Sequence, residues 1–467
     1  MVASVTTSSD DGREGAGGDK PAGKPASPDF MPSPPVAAAA VMVMLAFGVF
    51  LGSATNQLAQ SAGMHSILVE VSPPSAPEPP AERPATAPVA ELEPEPPPPP
   101  ATPSLPVAPI PLAEPAPKAP PPPTLPAELP EEEVLPPVKH VFLIVLAENS
   151  FEEAFGETAP APYLAQTLRE KGELIPNYYA VTQGDLANQI ALLSGQGPTP
   201  ETVSECPAYA DLAPGTLSPE GQVEGSGCIY PGSTMTLPGQ LAERKLRAKA
   251  YVEGLVEACV HEDGRRNPFV YFRSLLDAPD CAKDDVSLDR LSIDLETASR
   301  TPELSYIVPN PCRNGEPPCA EGQLTGPLAA EEFLQRIVPA IEASPAYGEG
   351  GLIAITSTQA PQTGVEADTS ACCISPAYPN LPPSPAAEPS SGPVKAAGGG
   401  GKVGLLLISP FVEPASSEEA GYFNHYSLLL TIEELFGLEK LGYANEPALV
   451  PFGETVFNTG DDQSLDG

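Results

Sequence analysis

Basic residues are scarce in this sequence: 23 Lys and Arg stand against 61 Asp and Glu, a formal net charge of −38 over 467 residues. Gripping a phosphate backbone takes patches of Lys and Arg, so the imbalance excludes nucleic acid as a partner. An acidic surface of this kind ordinarily serves solubility. Histidine is scarcer still, with 4 in the chain. The three beyond the proline-rich region, His140, His261 and His425, lie far apart. No H-E-x-x-H pair and no G-x-S-x-G elbow occurs, so the metal-peptidase and serine-hydrolase readings that rest on those patterns fall away. There is no internal repeat.

Long apolar runs are equally few. One, residues 36–52 within "PPVAAAAVMVMLAFGVFLGSATNQLA", is uncharged and near the lower length limit for spanning a bilayer. Arg13, Lys20 and Lys24 precede it, and no basic residue follows until Arg83. That asymmetry predicts a cytoplasmic tail over 1–35, a transmembrane anchor over 36–58 and an extracellular remainder held at the cell membrane. A cleaved signal peptide is the competing reading, but 35 net-acidic residues make a poor positively charged leader.

What is abundant is proline: 65 residues, crowded before residue 138. Such density breaks helices and sheets, so 59–137 is expected to be a disordered, Pro-rich stalk. Its densest part, from residue 73, would reach roughly 200 Å as polyproline II at about 3.1 Å per residue, enough to carry a domain through a cell wall. A ligand for proline-reading modules is the alternative. The 8 cysteines all lie at or beyond position 206. An even count in an exported domain suggests disulfides, and proximity alone suggests Cys206 with Cys228, Cys259 with Cys281, and Cys312 with Cys319. Metal binding is the weaker reading, because the spacings match no zinc pattern.

From residue 138 the composition changes. "KHVFLIVL" (139–146), "AKAYVEGL" (248–255), "LSYIVP" (304–309), "GLIAIT" (351–356) and "KVGLLLIS" (402–409) are continuous apolar runs of the kind buried parallel strands show. Helical patterns alternate with them, among them "DLANQIALLSG", "AAEEFLQRIVPAIEAS" and "HYSLLLTIEELFGL". The expected fold is therefore α/β over 138–458, a mostly parallel sheet with helices on both faces. Sites in such sheets open at the strands' carboxyl ends. That directs attention to the loops after Leu146, Pro309, Thr356 and Ser409, and to the helix start at Asp185. Residues 360–401 read as a flexible insertion, with Cys372, Cys373 and "GGGGK" inside it; 459–467 read as a disordered tail. The glycine run is no phosphate loop, since its lysine precedes a strand instead of opening a helix.

Three places could carry chemistry. Glu148 and Asn149, in "AENSF", stand at a strand end where oxygen ligands could hold a divalent metal, although Asn, Ser and Glu are also ordinary helix-entry residues. Asp185 could bind metal or attack phosphorus, or it could simply cap a helix. His425 sits at a helix start, which favours a neutral ring able to ligate metal, while a lone histidine is more often structural.

Read in order, "KHVFLIVLAENSFEEAFG", "NYYAVTQGDLANQIALLSGQGP", "NPFVYF", "LSYIVPNPC", "SPAYGEGGLIAIT", "GLLLISPFV" and "NHYSLLLTIEELFGLEKLGYA" resemble the phosphoesterase family of bacterial phospholipases C and acid phosphatases, within the alkaline phosphatase-like superfamily. The resemblance runs from about Val138 to Asn458. It implies an alkaline phosphatase-like fold and metal-assisted hydrolysis of phosphate esters, with a Ser or Thr nucleophile at a helix start and a divalent metal held by carboxylates and histidines. This chain departs from that pattern. The Glu-Asn pair falls on Ala147 and Glu148, or on Glu148 and Asn149 after a one-residue slip. The nucleophile's place holds Asp185, and the histidine of the same phrase is Gln183. The Asp-Glu after the "I-T" strand end falls on Thr358 and Gln359, and the histidine after "P-N-x-C" on Arg313. His425 and Asn188, the latter expected at the substrate, stand where the pattern has them. The resulting expectation is a membrane-anchored extracellular domain with little or no hydrolase activity and no metal, binding cell-wall components or a phosphate ester at the envelope. The alternative is an active, metal-dependent phosphoesterase rebuilt around Glu148, Asn149, Asp185 and His425. A carboxylate from the insertion, Glu366 or Asp368, folding into the place of Thr358 and Gln359 would favour the second.

Overall fold

In the computed structural model the described residues are 135–458, apart from 263–266, 317–318, 321, 374–376, 383–392 and 396–397. The expected tail (1–35), anchor (36–58), almost all of the stalk (59–137) and the C-terminal tail (459–467) lie outside them. Among the described residues no helix is long and apolar enough to cross a membrane. The chain divides into two units, Met1–Pro117 and Lys118–Gly467, and every described residue belongs to the second.

Eight strands form the main sheet: β1 (His140–Leu146), β2 (Glu173–Ile175), β3 (Ala248–Val252), β4 (Asp285–Ser287), β5 (Leu304–Val308), β6 (Gly351–Ser357), β7 (Leu405–Ile408) and β8 (Ser416–Ser417). Their spatial order is β8-β2-β7-β6-β1-β5-β3-β4. Central β1 runs parallel to β5 on one side, with Val141 opposite Leu304, and to β6 on the other, with Val141 opposite Leu352. All five apolar runs became strands because each is buried on both faces. Along β1, Val141, Leu143 and Val145 enter one core, while Phe142, Ile144 and Leu146 enter the other. A strand with no solvent face has no polar alternation to show.

Helices cover both faces. On the first, α1 (Asp185–Ser194) packs against α3 (His425–Leu435); on the second lies α2 (Pro327–Glu342) with Phe333, Leu334 and Val338 fully buried. Every residue of α1 is buried, the polar Asp185, Asn188 and Ser194 each with a hydrogen-bond partner.

One strand departs from the parallel expectation. β7 is antiparallel to both β6 and β2, so its carboxyl end lies at the opposite edge from those of β1 and β6. The loop after Ser409 therefore does not border the site; Ser409 Oγ instead donates to the Gly351 carbonyl at the start of β6, 2.8 Å away. The stretch before β7 takes its place: Phe151 N donates to the Lys402 carbonyl at 3.0 Å, and Ala360 N to the Gly400 carbonyl at 2.7 Å.

Several described parts of 360–401 pack against the domain, while 363–367 are exposed. Ser370–Ala371 pairs with Val394–Lys395, the Tyr378 hydroxyl donates to the Val181 carbonyl at 2.9 Å, and Ala360, Ala371 and Cys372 are buried. The three proposed cysteine pairs are joined, and Cys372 is joined to its neighbour Cys373.

Candidate functional site

The carboxyl ends of β1 and β6 and the amino ends of α1 and α3 converge on one place. β1 delivers Glu148 and Asn149, β6 delivers Thr358 and Gln359, α1 opens with Asp185, and α3 opens with His425. Backbone bonds lock the two strand ends together: Thr358 N donates to the Leu146 carbonyl (2.8 Å) and Asn149 N to the Gln359 carbonyl (3.0 Å).

Asp185 is not the cap of its helix. That position belongs to Gly184, which makes no side-chain cap bond and adopts φ +93°. A Cβ there would also lie 2.7 Å from the Val203 Cα and carbonyl oxygen, so glycine is required on both counts. Asp185 is the first helical residue, and its Oδ1 accepts a hydrogen bond from the Thr358 hydroxyl. The helix's free N–H of Leu186 is met by Glu205 Oε2 at 3.2 Å, from a later segment.

Gln359 occupies the neighbouring space. Its Oε1 accepts from Gly184 N (2.8 Å), and its Nε2 reaches Glu148 Oε2 at 3.4 Å. Glu148 is exposed, yet its carboxyl titrates above the usual range, through partial desolvation first and then through the charges of Asp185, Glu153 and Glu316. Asn149 is buried and donates Nδ2 to the Ala147 carbonyl at 3.0 Å.

His425 is fully buried between two partners. Its Nε2 lies 3.0 Å from the Thr358 carbonyl and its Nδ1 2.9 Å from the Tyr178 hydroxyl. A carbonyl can only accept, so Nε2 carries the proton and Nδ1 accepts from Tyr178. Burial, against the opposing pull of the Thr358 carbonyl, holds the ring's pKa down to about 4, so it is neutral at physiological pH. Tyr178 reaches it because Tyr178–Tyr179 pairs in parallel with Phe423–Asn424. Sequence reasoning missed both Tyr178 and Glu205; neither carries a local signal, since their partners are 247 and 19 residues away.

Asn188 turns inward to its own loop. Its Oδ1 accepts from Val181 N (3.0 Å) and Thr182 N (3.3 Å), and its Nδ2 donates to the carbonyls of Thr182 (2.6 Å) and Gly184 (2.9 Å). That engages the whole amide in shaping the turn before α1. Asn188→Ala is expected to cost about 2 kcal/mol by leaving buried backbone groups without partners, read as a lower urea midpoint with an unchanged slope. Arg313 stands apart, with its guanidinium on Glu253 Oε1 at 3.0 Å.

The donors do not fit the divalent metal that the resemblance implies. Hard cations need several anionic oxygens, and zinc needs unprotonated ring nitrogens or thiolates. Here a hydroxyl and an amide, of Thr358 and Gln359, stand where the resemblance implies two carboxylates, and both nitrogens of His425 are already engaged. Among the described residues no group of three or more His, Cys, Asp or Glu is placed to hold an ion. Glu366 is exposed, and Asp368 accepts from Ser370 N (2.8 Å) and Lys402 N (2.9 Å), so neither takes the place of Thr358 and Gln359.

Several solved structures are loosely similar. They include an alkaline phosphatase superfamily protein of Vibrio parahaemolyticus (11% identity, covering 68% of this chain and 72% of that one, TM-score 0.42) and the lipoteichoic acid synthase of Listeria monocytogenes (10%, 68% and 76%, 0.41). Another is the phosphonate monoester hydrolase of Silicibacter pomeroyi (10%, 70% and 78%, 0.37). Likenesses this loose do not bear on activity. No curated protein matches in sequence. The model of the Phosphoesterase family matches residues 160–439, more than half of the chain, and the chain belongs to that family.

Proposed function

We propose that this protein is a phosphoesterase-family domain with little or no ester-hydrolase activity, which works as a binding protein of the cell envelope. In this reading 36–58 anchors it in the cell membrane and 59–137 carries the domain outward toward cell-wall components. One observation supports it above the others: the groups standing at the family's nucleophile and ligand places bond to each other. Thr358 satisfies Asp185, Gln359 satisfies Gly184, and the Thr358 carbonyl and Tyr178 satisfy His425. Such a closed network keeps its geometry without an ion, and a carboxylate at the nucleophile's place repels a phosphate that no metal charge screens.

The test is hydrolysis of p-nitrophenyl phosphate and bis-p-nitrophenyl phosphate by the full-length chain in detergent, with Mg²⁺, Mn²⁺, Ca²⁺ and Zn²⁺ in turn. Turnover is expected to stay at the level of the Asp185→Ala variant with every ion. Metal-dependent turnover that disappears in Asp185→Ala would overturn the proposal and establish the rebuilt enzyme around Glu148, Asn149, Asp185 and His425.

A further inference from the structure

Three of the four disulfides close loops, with partners 22, 22 and 7 residues apart. The fourth joins Cys372 to Cys373, neighbours in the chain. A disulfide stabilises chiefly by restricting the unfolded chain, and that effect grows with the loop closed. One that closes no loop adds almost nothing of this kind, so fold stability does not explain it.

Its position does suggest a role. Cys372 is buried and Cys373 half-buried. The Cys372 carbonyl accepts a hydrogen bond of 2.8 Å from Asn424 Nδ2. Asn424, fully buried, is the N-cap of α3: its Oδ1 accepts from Tyr426 N (2.9 Å) and Ser427 N (3.1 Å). The next residue is His425, whose ring holds the Thr358 carbonyl, and Thr358 in turn holds Asp185. A short run of contacts therefore leads from the Cys372–Cys373 ring to the floor of the candidate site.

We propose that Cys372–Cys373 is a reducible site, opened by a dithiol reductant, whose state sets the order of the α3 amino terminus. The chemistry balances as ordinary exchange. A thiolate of the reductant attacks one cysteine sulfur, the S–S bond breaks, and its electron pair leaves on the other sulfur, which takes up a proton. The reductant's second thiol then displaces the mixed disulfide, leaving two cysteine thiols on the protein and a cyclic disulfide on the reductant. Opening the ring frees the 372–373 segment, so that the Cys372 carbonyl leaves Asn424 Nδ2 and the cap loosens. This holds whether or not the site hydrolyses esters.

The experiment is graded dithiothreitol on the full-length folded chain, with maleimide labelling mapped by mass spectrometry and hydrogen exchange followed over 424–435. Exchange at Tyr426 and Ser427 should rise about tenfold in step with labelling of Cys372 and Cys373, whatever the order in which the other pairs open, and should reverse on reoxidation. The Cys372→Ser/Cys373→Ser variant should exchange like the reduced protein and ignore dithiothreitol. Protection of the pair until the whole domain unfolds would overturn the proposal, and so would labelling of the pair with unchanged exchange in α3. Wild-type reduction decides the matter even where the double variant fails to fold.

Discussion

Replacing Thr358 by Asp and Gln359 by Glu together is expected to lower the thermal midpoint of the metal-free protein and to make its stability answer to divalent cations. Both positions are nearly closed to solvent, at 1% and 8% exposure. Thr358 now donates its hydroxyl to Asp185, and Gln359 donates its amide toward Glu148 at 3.4 Å. The double substitution deletes both donors and sets two carboxylates against two more. An uncompensated buried charge costs about 3–5 kcal/mol, which for a domain of this size lowers the midpoint by roughly 5–10 °C. Glu at 359 can still accept from Gly184 N, so the turn before α1 keeps its geometry. The same four carboxylates then form the anionic oxygen set that a hard cation needs. A metal at a hundred times its dissociation constant would restore about 2.7 kcal/mol. Scanning calorimetry of both proteins with and without millimolar Mn²⁺ separates the cases. Wild type should be indifferent to the ion and the variant rescued by it. A wild type that gains as much as the variant would show that its present donors already hold metal.

How much of this was legible in the sequence varied with the range of the interaction involved. The five buried strands were readable because burial on both faces leaves one unmistakable pattern, continuous apolar residues. Direction was not, since nothing in "GLLLIS" distinguishes a parallel strand from an antiparallel one; β7 was assigned the common orientation and its loop placed at the wrong edge. Asp185 drew notice as a helix-start residue, and that much the structure retains. Its place was hidden by Gly184, which takes the cap position with a positive φ and lies so close to Val203 that no side chain fits, a contact between segments. Thr358 and Gln359 could be found as departures from a family pattern, but not that they bond to Asp185 and Gly184. His425 could be read as neutral from its helix start, whereas the tautomer depends on Tyr178, 247 residues away.

Raising the pH from 5 to 9 is expected to destabilise the domain through two buried carboxyl groups outside the candidate site. Glu173 on β2 and Glu433 on α3 are both fully buried. Glu173 takes hydrogen bonds from Ser416 and from Asn458 (3.0 Å) on Oε2, while its Oε1 has no partner among the described residues. Burial pushes its pKa up to about 7, with the Asn458 bond opposing and the charges of Glu418 and Glu413 adding. Glu433 takes the Leu441 N–H at 3.0 Å on Oε1, and its Oε2 is likewise without a partner. Burial pushes it up to about 8 against that bond and Lys440. A carboxyl whose folded pKa exceeds its ordinary value binds its proton more tightly in the native state. Its contribution is therefore complete below about pH 4.5 and is lost as pH rises through about 7 for Glu173 and about 8 for Glu433. The combined loss is on the order of 8 kcal/mol, at about 1.4 kcal/mol for each pKa unit. Asp294 works in the other direction: although burial alone would raise its pKa, hydrogen bonds from Lys249 and Tyr251 bring it below the usual value, so its contribution is lost on acidification instead. Stability should peak near pH 5 and fall on both sides. The Glu173→Gln/Glu433→Gln variant, which keeps one acceptor oxygen at each position but cannot ionise, should lose most of the alkaline slope in urea midpoints taken at pH 5, 6, 7, 8 and 9, while keeping the acid limb. Parallel curves for variant and wild type would mean that these two groups ionise as freely in the folded chain as in the unfolded one.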